Sequence, residues 1–209
     1  AASATAGLAM TNTILAPAAT IVIWSLIDLM RTGRVTAVGL ATAIVVGLVV
    51  ITPAAAFVSP LFAMVMGAIG AFPSYYVLLW RARSGMDDSL DVFAAHGVGG
   101  ITGAILTGVF AQKSVNGLFD GLIAGNPAQV LIQAFAVLIA MIYSGTITFL
   151  LLKLVGAMIP LKATAKEEGV GMDITQHGEE AYTSGEGAIL LKSETPVPAA
   201  KPKPAGGTD

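Results

Sequence analysis

The stretch MDDSLDVFAAHGVGGITGAILTGVFA, residues 86–111, decides the fold of this chain. Three acidic residues, Asp87, Asp88 and Asp91, stand near its start, and the residues that follow carry no charge. An uncharged run of about 20 residues is long enough to cross a bilayer as a helix. Within that run, His96 is the one ionisable side chain. The stretch therefore predicts a membrane-spanning helix that carries a single imidazole.

Glycines recur along this helix at intervals of about three or four residues, which places small side chains on one face. Such a face lets neighbouring membrane helices approach closely. Ionisable groups inside a membrane usually face the bundle interior or water, so we predict that His96 faces a narrow path and not lipid. If the whole stretch is α-helical, the shared stripe comprises Asp88, Val92, His96, Gly99, Gly100, Gly103 and Thr107.

The composition as a whole indicates an all-α polytopic membrane protein. Of the 209 residues, 55% are hydrophobic and 11% are charged, whereas soluble domains carry about 25% charged residues. The net charge of -2 gives no indication of nucleic-acid binding. The absence of cysteine excludes disulfides and thiolate metal sites, and we expect neither a metal nor a cofactor.

Five apolar runs are expected to form transmembrane helices. The second run is expected to end at Thr52, because the residue before a proline is disfavoured in a helix. Arg and Lys residues follow the first, third and fifth runs, which puts the N-terminus outside and the C-terminus in the cytoplasm. Residues 163–209 then form a cytoplasmic tail, with disorder predicted from about residue 193 by its Pro, Lys and Gly bias. The transmembrane domain is predicted at residues 1–162, with spans at about 10–30, 35–51, 61–80, 91–111 and 130–152.

Polar and aromatic residues interrupt the apolar runs at a few places. Tyr75, Tyr76 and Trp80 near the end of the third run are typical of an interfacial aromatic belt. Asn12 in the first run is expected to lie, with His96, on a face that needs a partner. An uncovered polar group on that face would cost up to about a few kcal/mol in lipid.

The candidate functional residues have more than one possible role. His96 is a pore-lining ring, a packing residue bonded to a neighbouring helix, or a metal ligand, although no second His or Cys lies nearby in sequence. Neutral imidazole donates from one nitrogen and accepts at the other, and its ordinary pKa of about 6.5 suits proton exchange. Capping of free N–H groups at the helix start is by itself a sufficient role for Asp87, Asp88 and Asp91.

Two motifs in this sequence resemble the ammonium transporter family (Amt/Mep/Rh). The first is D-D-x-x-D-V-F-x-x-H-G-V-x-G, which begins at Asp87. The second is GMDITQHGEEAY at residues 171–182, which is similar to the cytoplasmic tail motif of that family. The resemblance covers residues 1–182. It implies transport of ammonium or ammonia through a narrow hydrophobic pore, by a protein that is not an enzyme.

The resemblance also implies roles for individual residues. His96 corresponds to one of two histidines that face each other in the family's pore. Val92 lines the lower pore, Thr52 lies near its external side, and Asp91 braces the inner mouth. The alternative role is simple packing for Val92, an ordinary loop start for Thr52 and helix capping for Asp91. The implied regulatory motif of the tail comprises Asp173, His177, Gly178, Glu179 and Tyr182.

The family's architecture implies partners for this chain. Its members have eleven helices, of which ten form two inverted repeats with the path between them, and the five predicted spans match the last five. The N-terminal half of the same transporter is therefore expected to be missing from this chain, which begins AASATAG without Met. The resemblance also implies a homotrimer in the lipid bilayer of the plasma membrane, and a PII-type regulatory protein as a partner of the tail.

Two other classes of protein are alternatives to a transporter. One is a membrane-embedded ammonium sensor or interaction protein that signals through its C-terminal tail. The other is an intramembrane enzyme, which no serine–lysine pair, paired intramembrane aspartates or histidine-rich pattern supports. A further set of spans upstream with an internal histidine would favour the transporter over the sensor.

Overall fold

The computed structural model describes residues 3–179 of the chain. Throughout these residues the regular secondary structure is helical, which confirms the all-α class. They form two compact units, the first ending at Ile147 and the second beginning at Thr148. Tyr182 and the disorder predicted from about residue 193 lie outside the described residues.

Three helices open the first unit. α1 spans Ala4–Thr32, α2 spans Ala37–Ile51 and α3 spans Pro60–Arg83. The hydroxyls of Ser3 and Thr36 accept N–H groups from the first turns of α1 and α2, as side chains at helix starts commonly do. α3 begins with a proline, which is tolerated there because an N–H in the first turn has no partner inside the helix.

Most of the stretch at residues 86–111 forms one continuous helix, which combines a π-helical and an α-helical segment. A π-helical turn, Phe93–Val98, continues directly into the α-helix α4, Gly99–Phe110. We call these two segments together the His96 helix. The later elements are α5 (Lys113–Asn116), α6 (Ala128–Gly156), α7 (Ala165–Val170) and a second π-helical turn (Asp173–His177).

Within residues 3–179, four helices are long and apolar enough to cross a membrane, namely α1, α3, the His96 helix and α6. α2, at the second predicted span, has 15 residues. That length is about 22 Å, against a hydrocarbon core of about 30 Å. The helix stops at Ile51. Residues 52–57, which begin with Thr52 and Pro53, form turns. α2 would therefore reach across a membrane only together with those turns.

The helices of the first unit approach most closely where glycine replaces a side chain. α1 packs against α2 and α3, and a Cβ added to Gly67 of α3 would collide with the Ala16 carbonyl of α1. A Cβ added to Gly103 of the His96 helix would collide with the Val50 carbonyl of α2. These crossings are the small-residue packing that membrane helices use. The core around them includes Ala16, Val46, Val50, Ile51, Ala63, Met66 and Ala71.

Hydrogen bonds between buried polar groups join the same helices. The fully buried amide of Asn12 donates to the carbonyls of Ala55 and Val58, both at 2.8 Å. The Tyr75 hydroxyl donates to Asp28 Oδ1 at 2.8 Å, and Tyr75 is only 5% exposed. The outward face expected for Asn12 and the interfacial belt expected for Tyr75 are therefore wrong. Each side chain has partners on a neighbouring segment, which buried polar groups require.

After the last residues of α6, the second unit contains a capped helix, α7. The Thr164 hydroxyl accepts the Glu167 N–H at 3.3 Å, and the Glu167 carboxylate accepts the Thr164 N–H at 2.7 Å. The Thr164 N–H and hydroxyl together hold the pKa of the Glu167 carboxyl below its usual range. This reciprocal pair is a capping box, and it gives the predicted tail a defined start.

The contact at Gly67 makes a prediction about stability. We expect Gly67→Ala to destabilise the first unit by about 1–3 kcal/mol, the usual range for overpacking, because the new methyl would meet the Ala16 backbone and not a flexible side chain. The measurement is the midpoint of thermal unfolding in detergent. Gly145→Ala is the matched control, since a Cβ there meets no atom within 4 Å. Equal midpoints for the two variants would contradict the close approach.

Candidate functional site

His96 lies between two cavities at the surface of the first unit, with its side chain exposed. Its imidazole forms no hydrogen bond with any residue that the structure describes. One cavity, of about 280 Å³, opens between the His96 helix and α2, and it is lined by His96, Ala95, Asp91, Leu90, Ser89, Val38, Ala41, Thr42 and Val45. The other, of about 440 Å³, opens towards α6, and it is lined by His96, Gly97, Gly100, Ile101, Ala104, Val137, Ala140, Met141 and Ser144.

The walls of both cavities are mainly apolar, and His96 is the residue that they share. On the α6 side, Ser144 is the other polar side chain in the lining. A neutral imidazole in such surroundings offers one donor and one acceptor to a small polar molecule. Across residues 3–179, no three His, Cys, Asp or Glu side chains converge to hold a metal ion.

The π-helical turn Phe93–Val98 contains His96 and changes which residues share a face. A π-helical turn has more residues than an α-helical one, and such turns often occur at functional sites. Gly99, Gly103 and Thr107 are buried, whereas His96 is exposed. The stripe predicted from α-helical spacing is therefore correct only for its second half, and it also fails at Asp88, which precedes the helix.

Asp88 caps the start of the His96 helix. Its two carboxylate oxygens accept the N–H groups of Val92 at 2.9 Å and Phe93 at 2.8 Å. The Phe93 N–H foremost, with the Val92 N–H and the Arg81 charge, holds the pKa of the Asp88 carboxyl below its usual range. The capping role predicted for the acidic residues is confirmed for Asp88.

Asp91 has a different role in the same turn. It is the non-glycine residue with a positive φ, 55°, among the described residues. Aspartate tolerates this left-handed conformation better than most residues, at a cost of about 1–2 kcal/mol. Its carboxylate forms an ion pair with the guanidinium of Arg81 at the end of α3. The sequence analysis did not identify Arg81 as the partner of Asp91. The available signal was an arginine at the end of one helix, ten residues before an aspartate at the start of the next.

The other two predicted pore residues lie apart from these cavities. Val92 immediately precedes the π-helical turn and is 48% exposed, but it lines neither cavity. Thr52 follows α2, where its hydroxyl donates to the Leu48 carbonyl at 2.7 Å. It lies seven residues beyond Val45, a separation of about 10 Å along a helix. The structure thus brings His96 together with Asp91, but not with Val92 or Thr52.

The tail motif is partly described. Asp173 and His177 begin and end the second π-helical turn, and Gly178 follows with φ 69°. The Glu179 N–H donates to the Asp173 carbonyl at 3.0 Å. Four of the five predicted tail residues therefore lie in one compact turn, while Tyr182 lies outside the described range.

Known proteins are similar to this chain in both sequence and structure. The model of the Ammonium Transporter Family matches residues 1–182. An ammonium transporter of Aquifex aeolicus is 42% identical over 182 residues, which are 87% of this chain and 43% of that protein. The crystal structure of Saccharomyces cerevisiae Mep2 superposes with a TM-score of 0.71 at 35% identity, over 76% of this chain and 39% of that one.

A third similar structure is titled Sensor Amt Protein. Its TM-score is 0.73 at 29% identity, with 84% of this chain and 43% of that chain covered. In all three comparisons the chain spans less than half the length of the protein that it matches.

The cap at Asp88 predicts a pH dependence. A lowered pKa in the folded state means that the carboxylate stabilises the fold fully above the unfolded value of about 4, and that this contribution disappears as the pH falls through the lower folded value. We expect Asp88→Asn to lower the unfolding midpoint at pH 7 and to match the wild type at strongly acidic pH. The measurement is thermal unfolding in detergent over that pH range.

Asp87→Asn is the matched control for this experiment, because Asp87 donates or accepts no hydrogen bond among residues 3–179. Its midpoint should follow that of the wild type at each pH. A difference between Asp88→Asn and wild type that stays constant down to the lowest pH would contradict a charged cap.

Proposed function

The chain belongs to the ammonium transporter family, and we propose that the whole protein carries ammonium or ammonia across the membrane along a path beside His96. The observation that carries this proposal is the position of the imidazole, exposed between two largely apolar cavities. An ionisable group at membrane depth generally faces such a path or a partner.

The physical chemistry of the path favours passage of the neutral molecule. Moving a bare ammonium ion into apolar surroundings costs far more than moving ammonia, because the ion loses its hydration without gaining a counter-ion. Ammonium therefore gives up a proton to water at the mouth of the path before it enters, and ammonia passes His96. There the imidazole accepts a hydrogen bond from the moving molecule or donates one to it.

Val92, Thr52 and Asp91 complete the proposed pore on this side. Thr52 stands at the turn after α2, at the external end, and Val92 and Asp91 stand at the inner start of the His96 helix. This assignment is supported by the order of the three along the two helices that border the first cavity. His96 lies between the two ends.

The rest of the path belongs to residues that this chain does not contain. The matched relatives are more than twice as long as the part they share with it, and their remaining residues would cover the exposed side of His96 as an inverted half. We propose that the whole protein is a homotrimer in the plasma membrane, with α7 and the second π-helical turn in the cytoplasm. The Arg and Lys residues beside the apolar runs support this orientation.

The compact tail turn is the proposed site of regulation. His177, Gly178 and Glu179 are exposed at this turn, Asp173 is partly buried, and Tyr182 continues the same motif in sequence. A PII-type regulatory protein is the proposed partner of this segment. The motif at residues 171–182 supports this assignment.

A sensor is the second candidate function. The similarity to the structure titled Sensor Amt Protein favours it, and it would use the same membrane unit and signal through the tail. The two functions differ in one measurable respect, because a sensor responds to ammonium without carrying it at a useful rate.

Replacement of the imidazole tests the transport proposal. In the complete protein, His96→Ala should lower methylammonium uptake by about tenfold or more, since loss of one hydrogen bond of about 1.4 kcal/mol has that effect. Thr102→Val is the matched control, because the Thr102 hydroxyl donates to the Val98 carbonyl of its own helix at 2.7 Å. Unchanged uptake in His96→Ala, with both variants folded, would refute a pore role for His96.

The 209-residue chain itself provides a second test. Purified and reconstituted alone, it should show no saturable methylammonium uptake, because one side of the path beside His96 is exposed. Co-expression with the N-terminal half of a relative should restore uptake, since a large interface can rejoin separate pieces. Saturable uptake by the chain alone, abolished in His96→Ala, would contradict the requirement for the second half.

A further inference from the structure

The end of α3 meets the start of the His96 helix at an ion pair. The guanidinium of Arg81 contacts the carboxylate of Asp91, and their side chains are only 19% and 21% exposed. An ion pair that is largely shielded from water is screened less by salt than one at the surface. Removing one partner leaves the other charge uncompensated in partly dry surroundings.

Asp91 connects this ion pair to the backbone beside His96. Its carbonyl accepts the Ala95 N–H at 2.9 Å, and Ala95 is the residue before His96. Its φ of 55° turns the chain from the Asp88 cap into the helix. The conformation of this one residue therefore determines how the π-helical turn begins and in which direction the imidazole leaves the helix.

Neighbouring contacts hold the same corner. The rings of Trp80 and Phe93 lie with their centroids 6.5 Å apart, and the Ser84 hydroxyl donates to the Arg81 carbonyl at 2.8 Å. Arg83, two residues further along, is exposed and forms no ion pair among the described residues. The two arginines at the end of α3 therefore differ in what they contact, although their sequence context is similar.

We propose that Arg81 is a positioning residue for His96. It holds the carboxylate of Asp91 and thereby fixes the left-handed turn from which the π-helical turn starts. Arg81 touches no transported molecule and acts through the carboxylate of Asp91, which it contacts, while its charge also acts on the Asp88 cap at the same helix start. The consequence for transport rests on the proposed function, whereas the consequence for the imidazole does not.

The imidazole itself provides a readout that does not require transport. The chain contains two histidines, His96 and His177, so selective isotope labelling gives two sets of ring resonances in a micelle or nanodisc. Arg81→Gln should shift and broaden the His96 resonances and leave those of His177 unchanged. Arg83→Gln is the matched control and should leave both sets as in the wild type.

Two further variants separate positioning from general stability. Arg81→Lys keeps a cation near Asp91 and should restore most of the wild-type spectrum. Asp91→Asn removes the charge but retains a residue that tolerates positive φ. It should reproduce the spectrum of Arg81→Gln, and the double variant should add little, as expected for two groups that act through one contact.

Several outcomes would overturn the proposal. They are His96 resonances that do not respond to Arg81→Gln, an equal response to Arg83→Gln, and additive effects in the double variant. A loss of dispersion throughout the spectrum of Arg81→Gln that Arg81→Lys does not rescue would also overturn it, since that would mean a role in folding alone.

Uptake by the complete protein gives the second part of the experiment. Arg81→Gln should lower methylammonium uptake by about tenfold or more, because a misplacement of about 1 Å at a functional group can cost up to about 100-fold. Arg81→Lys should recover it, and Arg83→Gln should keep it. If the wild type carries no methylammonium, the proposed function fails, and the resonances of His96 still decide the role of Arg81.

Discussion

Direct contact between helix backbones is the constraint on which the first unit depends. At Gly67 the backbone of α3 approaches the Ala16 carbonyl so closely that no Cβ fits, and at Gly103 the His96 helix does the same against Val50 of α2. In a lipid environment, helix association depends on such packing, because the surrounding chains are as apolar as leucine.

The same packing explains why the imidazole remains exposed. Gly99, Gly103 and Thr107 bury one side of the His96 helix, and the π-helical turn that precedes them directs His96 to the edge between α2 and α6. The site is therefore formed by one helix whose glycine side is packed against its neighbours and whose opposite side exposes His96. In the proposed function, the rest of a longer protein would cover this exposed ring.

Polar contacts fix the two ends of this arrangement. Asn12 ties α1 to the turns after α2 through two carbonyls, and the Arg81–Asp91 pair ties α3 to the start of the His96 helix. The Asn12 contacts provide acceptors for the amide of a buried side chain, and the ion pair compensates two charges that are largely shielded from water. Charged residues are few in this chain, and Arg81 and Asp91 are two of them that pair with each other.

The sequence alone was sufficient for the all-α class, the membrane setting and the family, because apolar length, composition and two motifs are local features. It also indicated the cap at Asp88. The burial of Tyr75 against Asp28 and the pairing of Arg81 with Asp91 depended on the tertiary structure. Periodicity assumes a regular helix, so it could not reveal the π-helical turn. Contacts between separate helices are determined by how their backbones pack, which no single run of residues specifies.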